Sequence, residues 1–397
     1  MKKFKLFAAS LGLMTLAACS NTDDVFNGAE ELAQAKLDDN AIKFGTYMGQ
    51  GATTRAGVAG AITTESLKTG AHSAGFGVFA YYTGKTNYTH ATVQTNASNG
   101  NTSVKPNFMY NQQVKYETSK WTYSPLKYWP NEFGASATST ATDKLTFFAY
   151  APYVATVGDE GVTAFSAKNA TGDPTVSFKV PAKAEEQIDL LWSNADLKNK
   201  TKQAVGGTVK FTFTHALSNL SIYPIAVVDA TDIPASAGTD IDAATKVTIN
   251  SISIKGKFNQ EGTLNLATGV WDSSAAAADQ TVTYQPATAY DVTNVNDKAE
   301  ADAKDPVSEF MFIPSTAAED YVISIDYDFT TTDTNLDGEK VVVNNKINKT
   351  LSGVNFQQGK KIKLYVALGI TSVKVEAEVG DWTDPATEQT VWLPVNL

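Results

Sequence analysis

Cys19, the only cysteine of the chain, stands where a bacterial secretory signal would place a lipid-bearing residue. It follows the stretch Leu-Ala-Ala at residues 16–18. A start rich in lysine and an apolar run over residues 6–16, too short to span a bilayer, come before that stretch. In a lipobox of this kind the chain is cut before the cysteine, and the thiol takes a diacylglycerol. The sequence therefore predicts a signal peptide over residues 1–18 and a membrane anchor of acyl chains such as palmitate on Cys19.

Arg55 is the second residue with a specific chemistry, because it is the only arginine among the 32 lysine and arginine residues. A protease that requires arginine would find one site in the chain. Residues 49–54, directly before it, are small, polar and rich in glycine, which is typical of a flexible connection. We therefore predict a single exposed cut between Arg55 and Ala56.

The segment before this connection has the pattern of a β-strand with one buried face. Ile42, Phe44 and Thr46 point to one side and alternate with Lys43, Gly45 and Tyr47 on the other. A strand placed just before a single cut can be removed from the protein. We predict that residues 19–55 form a lipid-anchored tether and propeptide that ends in this removable strand.

Charge and composition exclude several classes of function. The net charge is −10, and removing residues 1–18, with three lysines and no acids, makes it −13, a surface that repels nucleic acid. One cysteine allows no disulfide within the chain, and the three histidines, His72, His90 and His215, lack the spacing of metal ligands. We find no phosphate loop and no nucleophile or zinc-protease motif. We therefore expect no enzyme, cofactor or metal, although a pair of glycosidase carboxylates would not show without the fold.

The body of the chain is predicted to be all-β. Short runs rich in aromatic and β-branched residues are separated by clusters of Asn, Gly, Pro and Ser, which favours antiparallel sandwiches or barrels. A polar connection over residues 194–207 suggests a boundary between a domain at 56–200 and another at 201–397. The predicted strands lie at residues 76–82, 107–116, 120–124, 144–153, 175–180, 188–193, 208–224, 245–256, 262–271, 308–315, 320–330, 339–348, 360–369 and 372–382.

Three further features are best explained by structural roles. Trp121, Tyr123, Tyr128 and Trp129 could form a sugar-stacking platform, but packing in a core is the favoured interpretation. The loop that starts at Asp333 copies the start of an EF-hand. Its twelfth position is Asn344 instead of Glu and no helices flank it, which favours a hairpin turn. His215 lies in a strand-like pattern and is expected to be packed and hydrogen-bonded.

The end of the chain, residues 390–397, has a clean apolar face with the period of a strand. Pro394 lacks an N–H, which suits an edge strand or a strand inserted with one bonded side. Periodicity alone leaves open whether it pairs within its own chain or with another chain. The candidate donor residues are Val391, Leu393, Val395 and Leu397.

The order of these motifs resembles that of the fimbrillin-like proteins of Bacteroidetes, the lipoprotein pilins of the type V pilus. The motifs are AIKFGTY, TRAG, GFGVFAYY, NFMYNQQV, the aromatic stretch from Trp121 to Pro130, LTFFAYAPY, DLLW and VKFTFTHALSNLSI. Arg55 and Ala56 fall on the maturation cut of that family. Asp23 and Asp24, just after Cys19, resemble surface-export signals of lipoproteins from the same phylum.

The resemblance implies two transthyretin-like β-sandwiches in tandem and a non-enzymatic pilus subunit in an adhesive fibre. Assembly would occur by strand exchange after the cut. The implied partners are other pilus subunits, an arginine-specific protease, the outer membrane and a ligand on a host or bacterial surface, and the implied location is the outer membrane and the fimbrium. Two alternatives stay open: a glycan-binding surface lipoprotein that does not polymerise, and a glycoside-active enzyme.

Overall fold

The computed structural model describes residues 40–47, 62–84, 86–89, 105–130, 143–202, 204–228, 232–235, 241–242, 244–273, 278–315, 317–370, 373–382 and 391–393. With 52% strand and 4% helix, the protein is all-β, as its composition predicts. Among the described residues, no helix is long and apolar enough to cross a membrane.

The described part of the chain consists mainly of β-strands. A short α-helix, α1 (Lys298–Asp302), is capped by the Asp297 carboxylate, which accepts a hydrogen bond from the Glu300 N–H at 2.8 Å. The strands are Lys43–Tyr47 (β1), Phe76–Gly84 (β2), Met109–Glu117 (β3), Lys120–Thr122 (β4), Lys144–Ala151 (β5), Val162–Phe165 (β6), Thr175–Lys179 (β7), Leu191–Ser193 (β8), Thr208–His215 (β9), Ser218–Ala226 (β10), Thr245–Gly256 (β11), Glu261–Asn265 (β12), Trp271–Asp272 (β13), Gln280–Tyr284 (β14), Tyr290–Asp291 (β15), Ser308–Phe312 (β16), Glu319–Asp333 (β17), Glu339–Val354 (β18), Lys360–Leu368 (β19), Val373–Asp381 (β20) and Val391–Leu393 (β21).

A seven-stranded sheet holds the predicted removable strand at one end, in the order β1-β9-β8-β5-β2-β3-β4. Its aromatic residues form a core in which Phe76, Phe147 and Phe211 are almost fully buried. The pairing of β1 with β9 is parallel, because the chain builds β2 to β8 before it returns beside β1. The expectation of antiparallel strands is therefore correct for most pairs but not for this one.

Two five-stranded sheets enclose a second core: β16-β10-β19-β20-β21, and β14-β11-β17-β18 with β15 as a further partner of β11. Ile222 and Leu364 from the first sheet lie in the same buried cluster as Ile249 and Ile323 from the second. The β10–β19 pair is also parallel, since the chain forms the facing sheet between these two strands. This packing of one sheet on another is the arrangement that alternating apolar patterns favour.

A four-stranded sheet, β13-β12-β7-β6, joins the two halves of the chain. The predicted limits 56–200 and 201–397 remain a prediction, but the sheets cross residue 200 in two places. β9 completes the seven-stranded sheet, and β12 pairs with β7. The polar stretch at 194–207 therefore connects β8 and β9, two neighbouring strands of one sheet. Its polarity indicates a loop, but polarity alone does not indicate a domain boundary.

Candidate functional site

β1 lies in a groove between β9 and the segment that follows β4. On one side, β1 pairs with β9 from Lys43 opposite Thr208 to Tyr47 opposite Thr212. On the other side, its entry is held by the 127–129 segment through two backbone hydrogen bonds. Ile42 N–H donates to the Lys127 carbonyl at 2.9 Å, and Trp129 N–H donates to the Asn40 carbonyl at 3.1 Å. Without β1, both bordering segments would have unpaired backbone groups.

Two of the three side chains that the alternation predicted to be buried are buried. Ile42 is 1% exposed and Phe44 is 6% exposed, whereas Lys43 between them is exposed. Thr46 is half-buried, and its Oγ1 has no hydrogen-bond partner among the residues that the structure describes. The two apolar residues of this face are therefore buried in the groove, and the Thr46 hydroxyl at the far end of β1 is a less favourable contact.

Phe44 occupies an aromatic pocket whose walls come from distant parts of the chain. Its ring stacks on Phe211 of β9 at 5.7 Å between centroids and tilts against Tyr123 at 5.1 Å. Phe147 and Phe76 meet it edge-on at 6.1 and 6.5 Å. Such pairs stabilise by about 0.5–1.5 kcal/mol each beyond their area burial. The aromatic runs that the sequence shows as separate strands thus converge on one side chain of β1.

Tyr123 closes the groove with a polar contact that sequence reasoning missed. Its hydroxyl donates to the Ile42 carbonyl at 3.0 Å and accepts from the Lys127 N–H at 3.2 Å. Burial raises the pKa of Tyr123 to about 12, so the phenol stays protonated and can donate. Only the position of a tyrosine two residues before Pro125 could have indicated a corner of this kind.

Several predicted site residues lie outside the described part of the chain. They are Cys19, Arg55, Ala56, Val395 and Leu397. The described part of the tail is β21, which pairs antiparallel with β20 of its own chain, Val391 opposite Val379 and Leu393 opposite Ala377. The candidate donor strand is thus placed at a sheet edge in this structure, within its own chain.

The aromatic stretch from Trp121 to Trp129 packs into the core instead of forming a joint platform. Trp121 meets Phe76 at 4.9 Å, and Trp129 is 5% exposed and meets Phe147 at 5.9 Å. Among the four aromatic residues of this stretch, Tyr128 is the one whose side chain is exposed to solvent. Core packing, the favoured interpretation, is confirmed.

His215 is packed and hydrogen-bonded, as expected, but its partner was not predictable. Its Nδ1 lies 2.6 Å from Oδ2 of the fully buried Asp189, and its ring stacks on Trp382 at 3.9 Å. The Ile62 N–H also donates to Asp189 Oδ2, at 3.4 Å. This cluster links the end of β9 to the residue that follows β20, and to the chain downstream of the predicted cut.

The Asp333 loop is the turn of the β17–β18 hairpin. The Asp333 carboxylate accepts a hydrogen bond from the Asn335 N–H at 2.8 Å, and Asp337 takes the left-handed conformation. The hairpin interpretation is confirmed. Within the described ranges, no group of three or more His, Cys, Asp or Glu side chains could hold a metal ion.

Comparison with known proteins agrees with this architecture. The family model described as "Fimbrillin-like" matches residues 54–382. The fimbrium subunit Fim1C of Phocaeicola vulgatus is 28% identical over 342 residues, which cover 81% of this chain and 84% of that protein. The fold is similar to that of a crystallised fimbrial protein from Bacteroides vulgatus, with a TM-score of 0.58 and 22% identity, covering 87% of this chain and all of the other. Because the family match spans most of its length, the chain belongs to the fimbrillin-like family and has the function of a fimbrial subunit.

Proposed function

We propose that this fimbrial subunit is made as a lipoprotein precursor and assembles by strand exchange. Cys19 carries the lipid that holds the precursor at the outer membrane, and an arginine-specific protease cuts between Arg55 and Ala56. The removed piece includes β1, and a terminal strand of another subunit takes its place. As a family of fimbrial structural subunits implies, the chain is not an enzyme; it lies at the cell surface and assembles with other pilus subunits.

The observation that carries the proposal is the position of β1. It is an end strand of its sheet, it precedes the single arginine of the chain, and its contacts with β9 and with residues 127–129 are non-covalent. Removing it would expose the aromatic walls around Phe211 and Tyr123 to water. An exposed groove with unpaired backbone on both sides binds another extended segment, a mode of recognition known as β-augmentation.

The energies favour replacement of β1 by a longer apolar strand. Burying Ile42 and Phe44 contributes about 1.5–3 kcal/mol each, or roughly 3–6 kcal/mol together. A donor with the four apolar residues Val391, Leu393, Val395 and Leu397 would contribute roughly 6–12 kcal/mol before the cost of ordering it. Cleavage is still needed, because β1 is part of the same chain and therefore competes at a high effective concentration.

The arrangement around β20 supports the tail as the donor. The described residues of the tail, β21, make three register pairs with β20, so leaving that edge loses few of the described hydrogen bonds. The alternative donor, residues 372–382, contains β20, which pairs with β19 along nine positions and buries Val373, Val375 and Ala377. Withdrawing β20 would open the second core. Because the donor and the groove are different surfaces, each contact leaves a free groove and a free tail, and a fibre can continue to grow.

The test is controlled cleavage of the purified precursor. An arginine-specific protease should give one product that starts at Ala56, and electron microscopy should then show fibres. Arg55→Lys should resist the enzyme and remain monomeric, because the chain has no other arginine. Fibres formed by uncut Arg55→Lys would show that assembly does not depend on removal of β1. In the same way, Cys19→Ala should abolish fatty-acid labelling and leave cleavage at Arg55 intact.

A further inference from the structure

The outer strand of the β17–β18 hairpin has an exposed apolar edge. β18, at sixteen residues, ends its sheet, and no described strand pairs with its outer side. Three consecutive residues on it are exposed: Val341 by 65%, Val342 by 56% and Val343 by 49%. Soluble proteins normally shorten, bulge or cover such edges, and this strand has its only register shift with β17 at the opposite end, near Glu319. A long, regular edge strand with an exposed apolar stretch at one end is a surface on which another strand can pair.

We propose that this edge is the docking surface for β18 of a second copy of the chain. The two strands would run antiparallel about a two-fold axis perpendicular to the sheet, extending one five-stranded sheet into the other. The contact is isologous, so it closes as a pair and cannot propagate by itself. It lies on a different sheet from the groove of β1, and therefore does not depend on cleavage or strand exchange.

Geometry restricts the register of the pair. Residues directly opposite each other in an antiparallel pair lie on the same face, so a two-fold axis must pass beside a residue that faces its own copy. With Val343 on the axis, Lys340 of each copy faces Lys346 of the other, and like charges directly opposite destabilise the pair. With Val342 on the axis, the valines meet, but Glu339 faces the amide Asn345.

With Asn344 on the axis, the charges at the ends of the pair are complementary, while Val342 faces Lys346 and Val343 faces Asn345. Glu339 of each copy then faces Lys349 of the other, and Val341 faces Ile347, each pair occurring twice. Glu339 has no ion pair within the described chain in this structure, and Lys349 lies on the same face of β18. This self-complementarity of sequence is the reason that we assign a second copy as the occupant, in the Asn344 register.

The test measures the association of a precursor that cannot exchange strands. The full chain carrying Cys19→Ala and Arg55→Lys should show a reversible monomer–dimer equilibrium by sedimentation velocity. Adding Val341→Lys should raise the dimer dissociation constant about tenfold, because two cross-strand apolar pairs are lost. Val270→Lys is the matched control, since Val270 is 63% exposed but lies away from β18, and it should leave the constant unchanged.

A charge exchange tests the register. Glu339→Lys and Lys349→Glu should each weaken the dimer about tenfold by placing like charges opposite, and the double variant should restore it. Melting temperatures of all variants should stay equal, which excludes unfolding as the cause. A precursor that stays monomeric at every concentration would overturn the proposal, and so would a double variant as weak as the single variants.

Discussion

The strongest consequence of the β1 groove concerns Phe44, because in the proposed pathway this residue belongs to the precursor alone. Phe44 is 6% exposed and touches four aromatic rings, at centroid distances between 5.1 and 6.5 Å. Phe44→Ala would leave a cavity in that pocket. Substitutions of this kind cost about 3–5 kcal/mol in free energy of unfolding. We expect a value near the lower limit, since an end strand relaxes more easily than a central one.

The same substitution should have no effect after cleavage. The mature chain begins at Ala56 in the proposed pathway, so it no longer contains the mutated strand. The expected result is a precursor destabilised by about 3 kcal/mol and a mature protein identical to the wild type. By contrast, a substitution in a part of the core that is retained after cleavage would destabilise both the precursor and the mature protein.

Urea unfolding followed by tryptophan fluorescence measures both forms, because Trp129 packs on Phe147 beside the groove. Lys43→Ala is the matched control, since Lys43 lies on the same strand but is exposed, and it should change the free energy of unfolding by less than about 0.5 kcal/mol. The slope of free energy against urea should stay constant, which checks that one transition is observed. A Phe44→Ala precursor as stable as the Lys43→Ala precursor would refute the assignment of Phe44 as the residue that fills the groove.

Three further predictions follow from the described contacts. Tyr123→Phe should lower the stability of the precursor by about 1 kcal/mol at neutral pH through loss of the bond to the Ile42 carbonyl. Because the folded-state pKa of Tyr123 is raised to about 12, its stabilising contribution is complete below about pH 10 and is lost as the pH rises toward 12. Between these pH values the free energy of unfolding, measured in urea, should therefore fall less steeply for Tyr123→Phe than for the wild type. His215→Ala should cost about 3–5 kcal/mol in thermal or urea unfolding, because it leaves the buried Asp189 without its partner, and adding Asp189→Asn should recover part of the loss. Deleting residues 390–397 should lower the melting temperature of the monomer by no more than about 4 °C, since three register pairs are lost, and should stop polymerisation after cleavage; a larger drop would make the tail a structural strand of its own sheet.

Much of the local structure follows from the sequence, because burial has a period. The alternation at Ile42 and Phe44 identified a strand with one buried face, and the pattern from Val373 to Val379 did the same for β20. The Asn-, Asp- and Gly-rich stretch around Asp337 predicted a hairpin turn through its own local hydrogen bonds. These features depend on residues that are neighbours in the chain, so a single sequence contains the information that decides them.

The partners of the strands depend on residues far apart, and the sequence did not indicate them. A period of two says that β1 has a buried face, but not that β9, more than a hundred residues later, lies beside it in parallel. Residues 208–224 have one continuous pattern, yet Ala216 and Leu217 carry the chain from one sheet into another, because both sheets need apolar strands.

The exposed valines of β18 and the buried Asp189–His215 pair also separate what the sequence shows locally from what the fold decides. Three adjacent valines predict a strand in any context, and only the position of that strand at the end of its sheet leaves them in water. Asp189 and His215 are ordinary polar residues of two predicted strand regions, and only the folded chain brings their side chains to 2.6 Å beneath Trp382. Sequence by itself determined most of the strands and which of their faces are apolar, because those properties are local, although β6, β14 and β15 were not among the predicted strands. Tertiary structure alone decided which strand covers which face and which edge stays free, because pairing depends on chain topology and on the burial available to competing strands.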